Sequence, residues 1–289
     1  MTGHRAFWTL VALSATIRAA VAYLGCCLAM ALAWRITHHG AGPRLLSSAV
    51  WAGAVLLTLS VAGAVRSVQR VRRGLGATRT VGRHVRAAAV DDAAVRAAAR
   101  QVAPTVPVDV VEDAGRFAFA YGLLRPRVAV SSGLVESATF EELRAVLAHE
   151  AEHVRGRDPL RALVASFLTA QHFALPLLGH LRAAVVADRE LAADRCAMAR
   201  CGAGAVAGAL LKVGDAPRWA HAAPAAAMGG RALLAARITQ LEGDPPPPAR
   251  PDRRQVAVTA AGAALYAWAI AGSAWLVAAT PLICLGRGH

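Results

Sequence analysis

Three long apolar runs interrupt the polar pattern of the chain. The first extends from Ala19 to Trp34, or from Phe7 if Arg18 is tolerated within it. The second extends from Leu45 to Val65 without a charge, and the last from Val256 to about Leu285. A helix needs about 20 apolar residues to span the hydrocarbon core of a bilayer. The pattern therefore predicts an N-terminal transmembrane hairpin over residues 1–65 and a C-terminal transmembrane helix over residues 256–289.

Between these two regions, in residues 66–243, apolar and polar residues alternate with the periods of amphipathic helices and strands. Thr139 precedes Glu142 by three residues, which predicts a capping box at the start of a helix. A proline-rich linker fills residues 244–255, and residues 203–227 predict no element. The other predicted elements are the strands Val106–Val111, Phe117–Tyr121 and Arg127–Ser131 and the helices Asp91–Arg100, His180–Cys201 and Arg231–Leu241.

Composition and charge fit a membrane protein better than a soluble one. The chain has 289 residues, is 56% hydrophobic and carries a net charge of +14. A basic chain can bind nucleic acid, but no nucleic-acid-binding motif accompanies the charge. Cytoplasmic flanks of membrane spans carry an excess of arginine, and we therefore predict a multi-pass protein of the cell membrane. We expect contact with membrane lipid, no direct contact with nucleic acid, and a cytoplasmic location for residues 66–243. The arginines that follow the second run are Arg66, Arg70, Arg72, Arg73, Arg79, Arg83 and Arg86.

The sequence His149-Glu150-Ala151-Glu152-His153 places two histidines four residues apart on a predicted helix. Residues four apart project from one helix face, so both imidazoles can bind one Zn²⁺. Glu150 is turned by about 100° from His149 and can reach a water at the metal as general base. The alternative is an amphipathic helix whose polar face carries two histidines.

A catalytic zinc takes three protein ligands, so a third must come from elsewhere in the chain. Glu190 and Asp194 lie four residues apart on the next long predicted helix. Glu190 can supply the third ligand, and Asp194 can accept a hydrogen bond from the outer nitrogen of a ligating histidine. The alternative is a solvated acidic face between Arg189 and Arg195.

The string H-E-A-E-H-V-R-G-R-D, followed by R-E-L-A-A-D, resembles the BlaR/MecR-type membrane zinc metallopeptidases, which are gluzincins; the HtpX-type family is the second resemblance. The resemblance covers residues 117–241 and includes R-I-T-Q-L near the end of that segment. It implies a mainly α membrane protein with a small α+β gluzincin-like metallopeptidase domain. It also implies that His149, His153 and Glu190 bind Zn²⁺ and that Glu150 is the catalytic base, with Asp158 and Asp194 at polar positions beside the site.

Two features of the sequence limit what the resemblance implies. Lys212 is the only lysine of the chain, and it is preceded by Ala-Leu-Leu. The chain therefore has no Ser-x-x-Lys motif, and we expect no penicillin-binding sensor domain. Residues 159–181 are apolar enough for another span, but a single crossing would separate Glu190 from His149 across the membrane. We therefore predict that 159–181 is a helix embedded in part, and the alternatives are a buried core helix or a re-entrant hairpin bent near Pro176.

These observations predict a membrane-anchored zinc endopeptidase that hydrolyses a protein or peptide substrate. By resemblance, the substrate is a winged-helix transcriptional repressor of the BlaI/MecI kind or another cytoplasmic protein. We expect the substrate to add as a strand beside Phe117–Tyr121 or Arg127–Ser131. The alternatives are an HtpX-type protease for membrane-protein quality control and a non-catalytic metal-binding membrane sensor.

Overall fold

The computed structural model describes residues 3–39, 48–214, 217, 219–220, 231–246 and 250–278. Helices dominate, and one small sheet accompanies them, which confirms the predicted fold class. The helices are α1 Gly3–His39, α2 Ser48–Ala87, α3 Ala93–Val102, α4 Ser132–Ser137, α5 Phe140–Gly156, α6 Asp158–Gln171, α7 Leu177–Cys201, α8 Ala203–Lys212, α9 Arg231–Leu241 and α10 Arg253–Ala278. The strands are β1 Ala89–Val90, β2 Val108–Val111, β3 Ala118–Tyr121 and β4 Arg127–Ser131.

Contacts divide the chain into two compact units. The first, called the polar unit, contains residues 1–6, 69–166 and 183–249. The second, called the apolar unit, contains residues 7–68, 167–182 and 250–289. Helices α1, α2, α6 and α7 each contribute residues to both units.

The sheet of the polar unit has the strand order β1-β2-β4-β3. Strands β2 and β4 are parallel, and the other two pairs are antiparallel. Because β4 lies between β2 and β3, the expectation that Arg127–Ser131 offers a free edge is wrong. Phe117–Tyr121 has the expected position, since β3 is an edge strand of this sheet, and the addition of a substrate there stays a prediction.

Alternating side chains of the strands build two cores, one on each face of the sheet. Val110, Val128 and Val130 face a core that they share with α3, α5 and α8. Phe119 and Ala129 point to the opposite face, where they pack with Val81 and Val85 of α2. The sheet is therefore a middle layer, and α5, which carries the candidate site, packs directly against it.

Local sequence explains where α5 begins and ends. Thr139 and Glu142 form the predicted capping box, which contributes about 1 kcal/mol in typical cases. At the other end Arg157 adopts a left-handed conformation with φ 52°, and its N–H donates to the carbonyls of His153 and Val154. Few non-glycine residues adopt this conformation, and here it turns the chain sharply into α6. The first residue of α6, Asp158, is thereby carried back toward His153.

Most predicted elements of the polar unit are present, with small shifts at their ends. The helix over Arg231–Leu241 and the strand over Arg127–Ser131 have the predicted bounds. Two helices appear where the pattern predicted none: α4 directly after β4, and α8 in the segment 203–227. Residues 215–216, 218 and 221–227 of that segment lie outside the described residues.

Among the described residues, three helices are long and apolar enough to cross a membrane. The stretches that qualify are Phe7–Cys27 in α1, Val50–Ala87 in α2 and Arg253–Trp275 in α10. They correspond to the three predicted runs, and the stretch in α1 has the longer form that begins at Phe7 and includes Arg18. Residues 40–47 and 279–289, which belong to the predicted hairpin loop and the end of the last run, lie outside the described residues.

Residues 159–181 form two helices rather than one. Helix α6 ends at Gln171, and α7 begins at Leu177 directly after Pro176. Proline cannot continue a preceding helix without losing a hydrogen bond, so the break at this position has a local cause. Two helices joined by a turn near Pro176 correspond to the predicted alternative of a hairpin bent at this residue. That the hairpin lies within a membrane stays a prediction.

Candidate metal centre

The polar unit brings together the three side chains that the sequence analysis proposed as ligands. His149 and His153 project from α5, and Glu190 projects from α7. Within the described part of the chain, they are the one group of His, Cys, Asp or Glu side chains suited to hold a metal ion. All three are buried, with exposed fractions of 9%, 3% and 7%, which is unusual for such polar groups unless they are paired or bind a cation.

The distances between the donor atoms test whether zinc fits. The two Nε2 atoms of His149 and His153 lie 3.2 Å apart. The carboxylate of Glu190 lies 3.5 Å from the first and 3.3 Å from the second. Ligand atoms about 2.0–2.1 Å from a tetrahedral zinc are separated by about 3.3 Å, so the three donors have the spacing that zinc requires.

The outer nitrogens of both rings support the same conclusion. Nδ1 of His153 lies 2.8 Å from Oδ2 of Asp158. Nδ1 of His149 lies 2.9 Å from Oδ1 of Asp194, although the angle is too bent for a well-directed hydrogen bond. A carboxylate beside Nδ1 holds the proton on that nitrogen, which leaves the Nε2 lone pair free. Two lone pairs and the Glu190 carboxylate then converge on one point, which a cation would satisfy.

Each of the two carboxylates beside a ring is held by an arginine. Arg237 of α9 donates to both oxygens of Asp194, at 2.7 and 2.8 Å. Arg189 of α7 donates from Nε to Asp158, at 2.9 and 3.0 Å. The site therefore contains two similar series of contacts, in each of which an arginine holds an aspartate and the aspartate contacts a histidine. Such partners fix the orientation of a ligating ring.

Arg189 has further contacts around the loop after α5. Its Nη2 donates to the carbonyl of Glu152 at 3.2 Å and lies 3.4 Å from the Glu152 carboxylate. A side chain at Gly156 would collide with Nη2 of Arg189, and its Cβ would lie 2.8 Å from Oδ1 of Asp158. The glycine thus leaves the room that Arg189 uses.

The charges of the site shift the pKa values of its members. Burial lowers the pKa of His153, but the carboxylates of Asp158 and Glu190 outweigh it, and the pKa lies well above its ordinary value. For His149 burial likewise acts downward, and Asp194 and Glu190 raise the pKa above its ordinary value. Burial raises the pKa of Glu190, yet its two histidine partners bring it well below the ordinary value. The site without metal therefore favours positive charge between its ligands.

Glu150 differs from the other acidic residues of the site. It is partly buried, and no hydrogen bond or ion pair joins it to a described residue. Its negative charge nevertheless acts on His153 and on Arg237 and raises the pKa of both. A carboxylate that is near the ligands but unpaired is available to accept a proton from a water.

Arg189 and Arg237 contact the site, although no sequence pattern predicted a role for either of them. Both arginines stood in quoted strings, R-E-L-A-A-D and R-I-T-Q-L. The position of Arg189 beside Glu190 was a usable signal. Arg237 had none, because it lies 43 residues beyond Asp194 and reaches the site only through the fold.

Comparison with known proteins adds an independent finding. The sequence model of Peptidase family M48 matches residues 83–216, which is a little under half of the chain. The match includes the sheet, α5, α6 and α7, and it ends before α9 and Arg237. No curated protein matches the chain closely enough to count as a relative. The segment that holds His149, His153, Glu190 and Asp194 is therefore similar to Peptidase family M48.

Proposed function

We propose that the protein is a membrane-anchored, zinc-dependent endopeptidase. The observation that carries the proposal is the spacing of 3.2–3.5 Å between the donor atoms of His149, His153 and Glu190. The similarity of residues 83–216 to Peptidase family M48 supports it independently. Two histidines with one glutamate are a ligand set of catalytic zinc in peptidases, and this set leaves a position open for a water.

His149, His153 and Glu190 would hold the ion, and Asp194 and Asp158 would keep the two rings in place. When bound, zinc lowers the pKa of a water toward about 7 and polarises a carbonyl oxygen. Glu150 accepts the proton of the attacking water and delivers it to the nitrogen of the leaving amine. A purely structural metal site has no need of the unpaired Glu150, which favours the peptidase over the non-catalytic sensor.

An extended segment of the substrate would add to the outer edge of β3, which pairs with β4 on its other side. Backbone groups of an edge strand bind a peptide in extended form with little dependence on its sequence. Such binding suits an endopeptidase that acts on a protein. We propose a regulatory role in which the substrate is a cytoplasmic protein, such as a winged-helix repressor. Quality control of membrane proteins, as in HtpX-type proteases, is the second candidate, and the three apolar helices favour it as much as the first.

The predicted orientation places the polar unit in the cytoplasm. It rests on the arginines that follow the second apolar run, beginning with Arg66. In this orientation the protein is a multi-pass protein of the cell membrane.

Cleavage by the Glu150→Gln variant tests the proposed activity. The purified protein in detergent is incubated with labelled casein, with a candidate repressor and alone, and the zinc content is measured on the same sample. We expect the variant to keep its zinc and to lose roughly 10²–10⁴-fold in rate, the usual contribution of a general base.

Glu141→Gln is the matched control, because Glu141 lies on the same helix and its side chain is 59% exposed. It should cleave at the wild-type rate. A Glu150→Gln protein that keeps its zinc and cleaves as fast as the wild type would exclude the proposed base. A wild type that binds zinc and cleaves neither itself nor any tested protein would favour the sensor.

A further inference from the structure

The apolar unit contains polar groups that the proposed peptidase does not use. The tip of the hairpin between α6 and α7 packs among α1, α2 and α10. Ser67 of α2 donates to the carbonyl of Phe167 at 3.0 Å and contacts Gln171 at 3.3 Å. Farther along the hairpin, Ala174 and Leu175 join the cluster around Leu56 of α2.

These contacts give the depth of the hairpin along α2. From Ser67 to Leu56 there are 11 residues, which at 1.5 Å each correspond to about 16 Å. The apolar run of α2 ends at Val65, so Ser67 marks its polar boundary. The tip therefore reaches about halfway along a run that matches a hydrocarbon core of about 30 Å.

A cavity of about 420 Å³ lies in this unit. One part of its wall is apolar, with residues of α1 and α2 such as Val21, Ala22, Gly25, Gly53 and Leu57. The other part is polar and is formed by Arg18, Ser60, Gln171, His172 and Tyr266. The lining of the cavity thus combines apolar side chains, here called the apolar section, with polar side chains and one full positive charge.

Arg18 is the unusual member of this wall. It lies within the apolar stretch Phe7–Cys27 of α1, where a charged residue is costly and commonly marks a functional site. Among the described residues, none forms a hydrogen bond or an ion pair with Arg18, and one aromatic ring contacts it. This is the ring of Phe167, whose centroid lies 5.3 Å from the guanidinium carbon. The ring attracts the charge but leaves the five N–H donors of the guanidinium without acceptors.

The direction of Arg18 fits the polar boundary. Helical side chains lean toward the amino terminus of their helix, and Phe167 is at the level of Ser67. A second arginine, Arg66, lies over the ring of Phe173 with its guanidinium carbon 4.3 Å from the centroid. Both arginines therefore rest on aromatic rings of the hairpin, near the level where lipid headgroups begin.

His172 of the cavity wall is already satisfied. Its Nε2 lies 2.9 Å from the hydroxyl of Ser14, and both residues are buried. The guanidinium of Arg18 is the cavity's one full positive charge, and no described residue accepts a hydrogen bond from it. The chemical complement of its N–H donors is an oxygen anion, and the apolar section selects a ligand that also carries a hydrocarbon chain.

We propose that this cavity binds an anionic phospholipid, with its phosphate at Arg18 and one acyl chain along the apolar wall of α1 and α2. Arginine binds a phosphate group through two parallel hydrogen bonds. The phosphate of a zwitterionic lipid can accept the same two bonds, but its headgroup carries no net negative charge. The lipid is thus distinguished by charge at Arg18 and by hydrocarbon in the apolar section. The proposal rests on the predicted membrane placement and does not depend on the peptidase activity.

Native mass spectrometry of the full chain in detergent tests the proposal. The probes are dioleoyl phosphatidylglycerol, dioleoyl phosphatidylcholine with the same chains, and oleic acid. We expect phosphatidylglycerol to bind more tightly than phosphatidylcholine, and Arg18→Gln to weaken phosphatidylglycerol binding about fivefold, the value of one arginine near a membrane surface.

Gly53→Leu fills the apolar section and should weaken both phospholipids together. Arg73→Gln is the matched control, since Arg73 is exposed on α2 and does not line the cavity. Equal binding of the two phospholipids, or equal losses in Arg18→Gln and Arg73→Gln, would overturn the site. Binding of oleic acid that depends on Arg18, without binding of phosphatidylglycerol, would overturn the phospholipid as its occupant. Because no variant touches α5 or α7, casein cleavage measured in parallel separates this proposal from the proposed function.

Discussion

Buried polar groups have charged partners in the polar unit and neutral partners in the apolar unit. In the polar unit, Asp194 is fully buried and is paired with both an arginine and a histidine. In the apolar unit, the buried Ser14 and His172 satisfy each other without any charged partner. Removing one charged partner leaves a buried charge uncompensated, whereas removing a neutral partner leaves only an unmade hydrogen bond. The two units should therefore respond to substitution with different magnitudes.

Close packing replaces charge as the organising interaction of the apolar unit. A side chain at Gly63 would collide with the carbonyl of Gln171, and one at Gly262 would collide with the carbonyl of Ala174. Small residues allow helices to approach closely in membranes, where apolar burial does not drive association. Close packing therefore positions the hairpin tip, whereas ion pairs and hydrogen bonds position the residues of the candidate metal centre.

The largest expected effect breaks the charge matching of the polar unit. Arg237→Ala leaves Asp194 buried beside Glu190 without its cation, which should lower the stability of the protein by about 3–5 kcal/mol. The expected result is a clear fall in the melting temperature in detergent. Arg100→Ala, at an exposed position, is the control and should leave the melting temperature unchanged. Equal melting temperatures for the two variants would contradict the role given to Arg237.

Asp158→Asn weakens the contacts from Arg189 through Asp158 to His153 without removing a candidate metal ligand. The amide keeps the shape of the side chain but loses the charge that holds the proton on Nδ1 of His153. We expect the affinity for zinc to fall about 10–100-fold, the usual effect of losing such a partner. Competition with a chelator of known affinity measures it. An unchanged affinity would mean that Asp158 does not act through His153.

Gly262→Ala tests whether close packing stabilises the apolar unit. The added methyl group pushes against the backbone carbonyl of Ala174, which cannot move aside as a flexible side chain can. We expect a loss of about 1–3 kcal/mol, seen as a lower melting temperature in detergent. Gly179→Ala is the matched control, because an added Cβ there meets no atom within 4 Å. If both variants melt together, the close approach of α10 to the hairpin is not what holds its tip.

The smallest effect concerns a charge cluster at the surface of the sheet. Asp109 accepts hydrogen bonds from Tyr121 and from Arg127, each at 2.6 Å. Burial raises the pKa of Asp109, but the hydrogen bonds from Arg127 and Tyr121 outweigh it, and the pKa lies below its ordinary value. Stability from this carboxylate is therefore present above its unfolded pKa of about 3.9 and is lost as the pH falls through the lower folded value.

Melting temperatures measured from pH 6 down to pH 3 test this sign. The wild type should lose more stability over the acidic part of this range than Asp109→Asn does. The difference should be small, because the side chain of Arg127 is 42% exposed and solvent screens the pair. A variant that loses as much stability as the wild type would show that the pair contributes nothing.

Local signals predicted much of this molecule. The capping box at Thr139 and the bounds of β4 and α9 follow from residues within a few positions of each element. The grouping of His149, His153 and Glu190 followed from helix periodicity together with the number of ligands that zinc requires. Their role as ligands stays a prediction until a metal is measured.

Other features depend on contacts that no local pattern contains. Helix α2 continues to Ala87, far past the end of the apolar run, because Val81 and Val85 of this part pack against the sheet. Hydropathy marks the membrane boundary and not the end of a helix. The inner position of β4 and the contact of Arg237 with Asp194 arise from the order of elements in space.

The central claim is that His149, His153 and Glu190 together hold one zinc. Its most direct test is the zinc content and the zinc-edge X-ray absorption spectrum of the purified protein, measured beside Glu190→Gln and the exposed control Glu136→Gln. We predict about one zinc per chain in the wild type and in Glu136→Gln, with two imidazoles and a carboxylate in the spectrum, and almost none in Glu190→Gln. Wild-type protein without zinc, or a Glu190→Gln protein that retains one zinc with the same spectrum, would contradict the account.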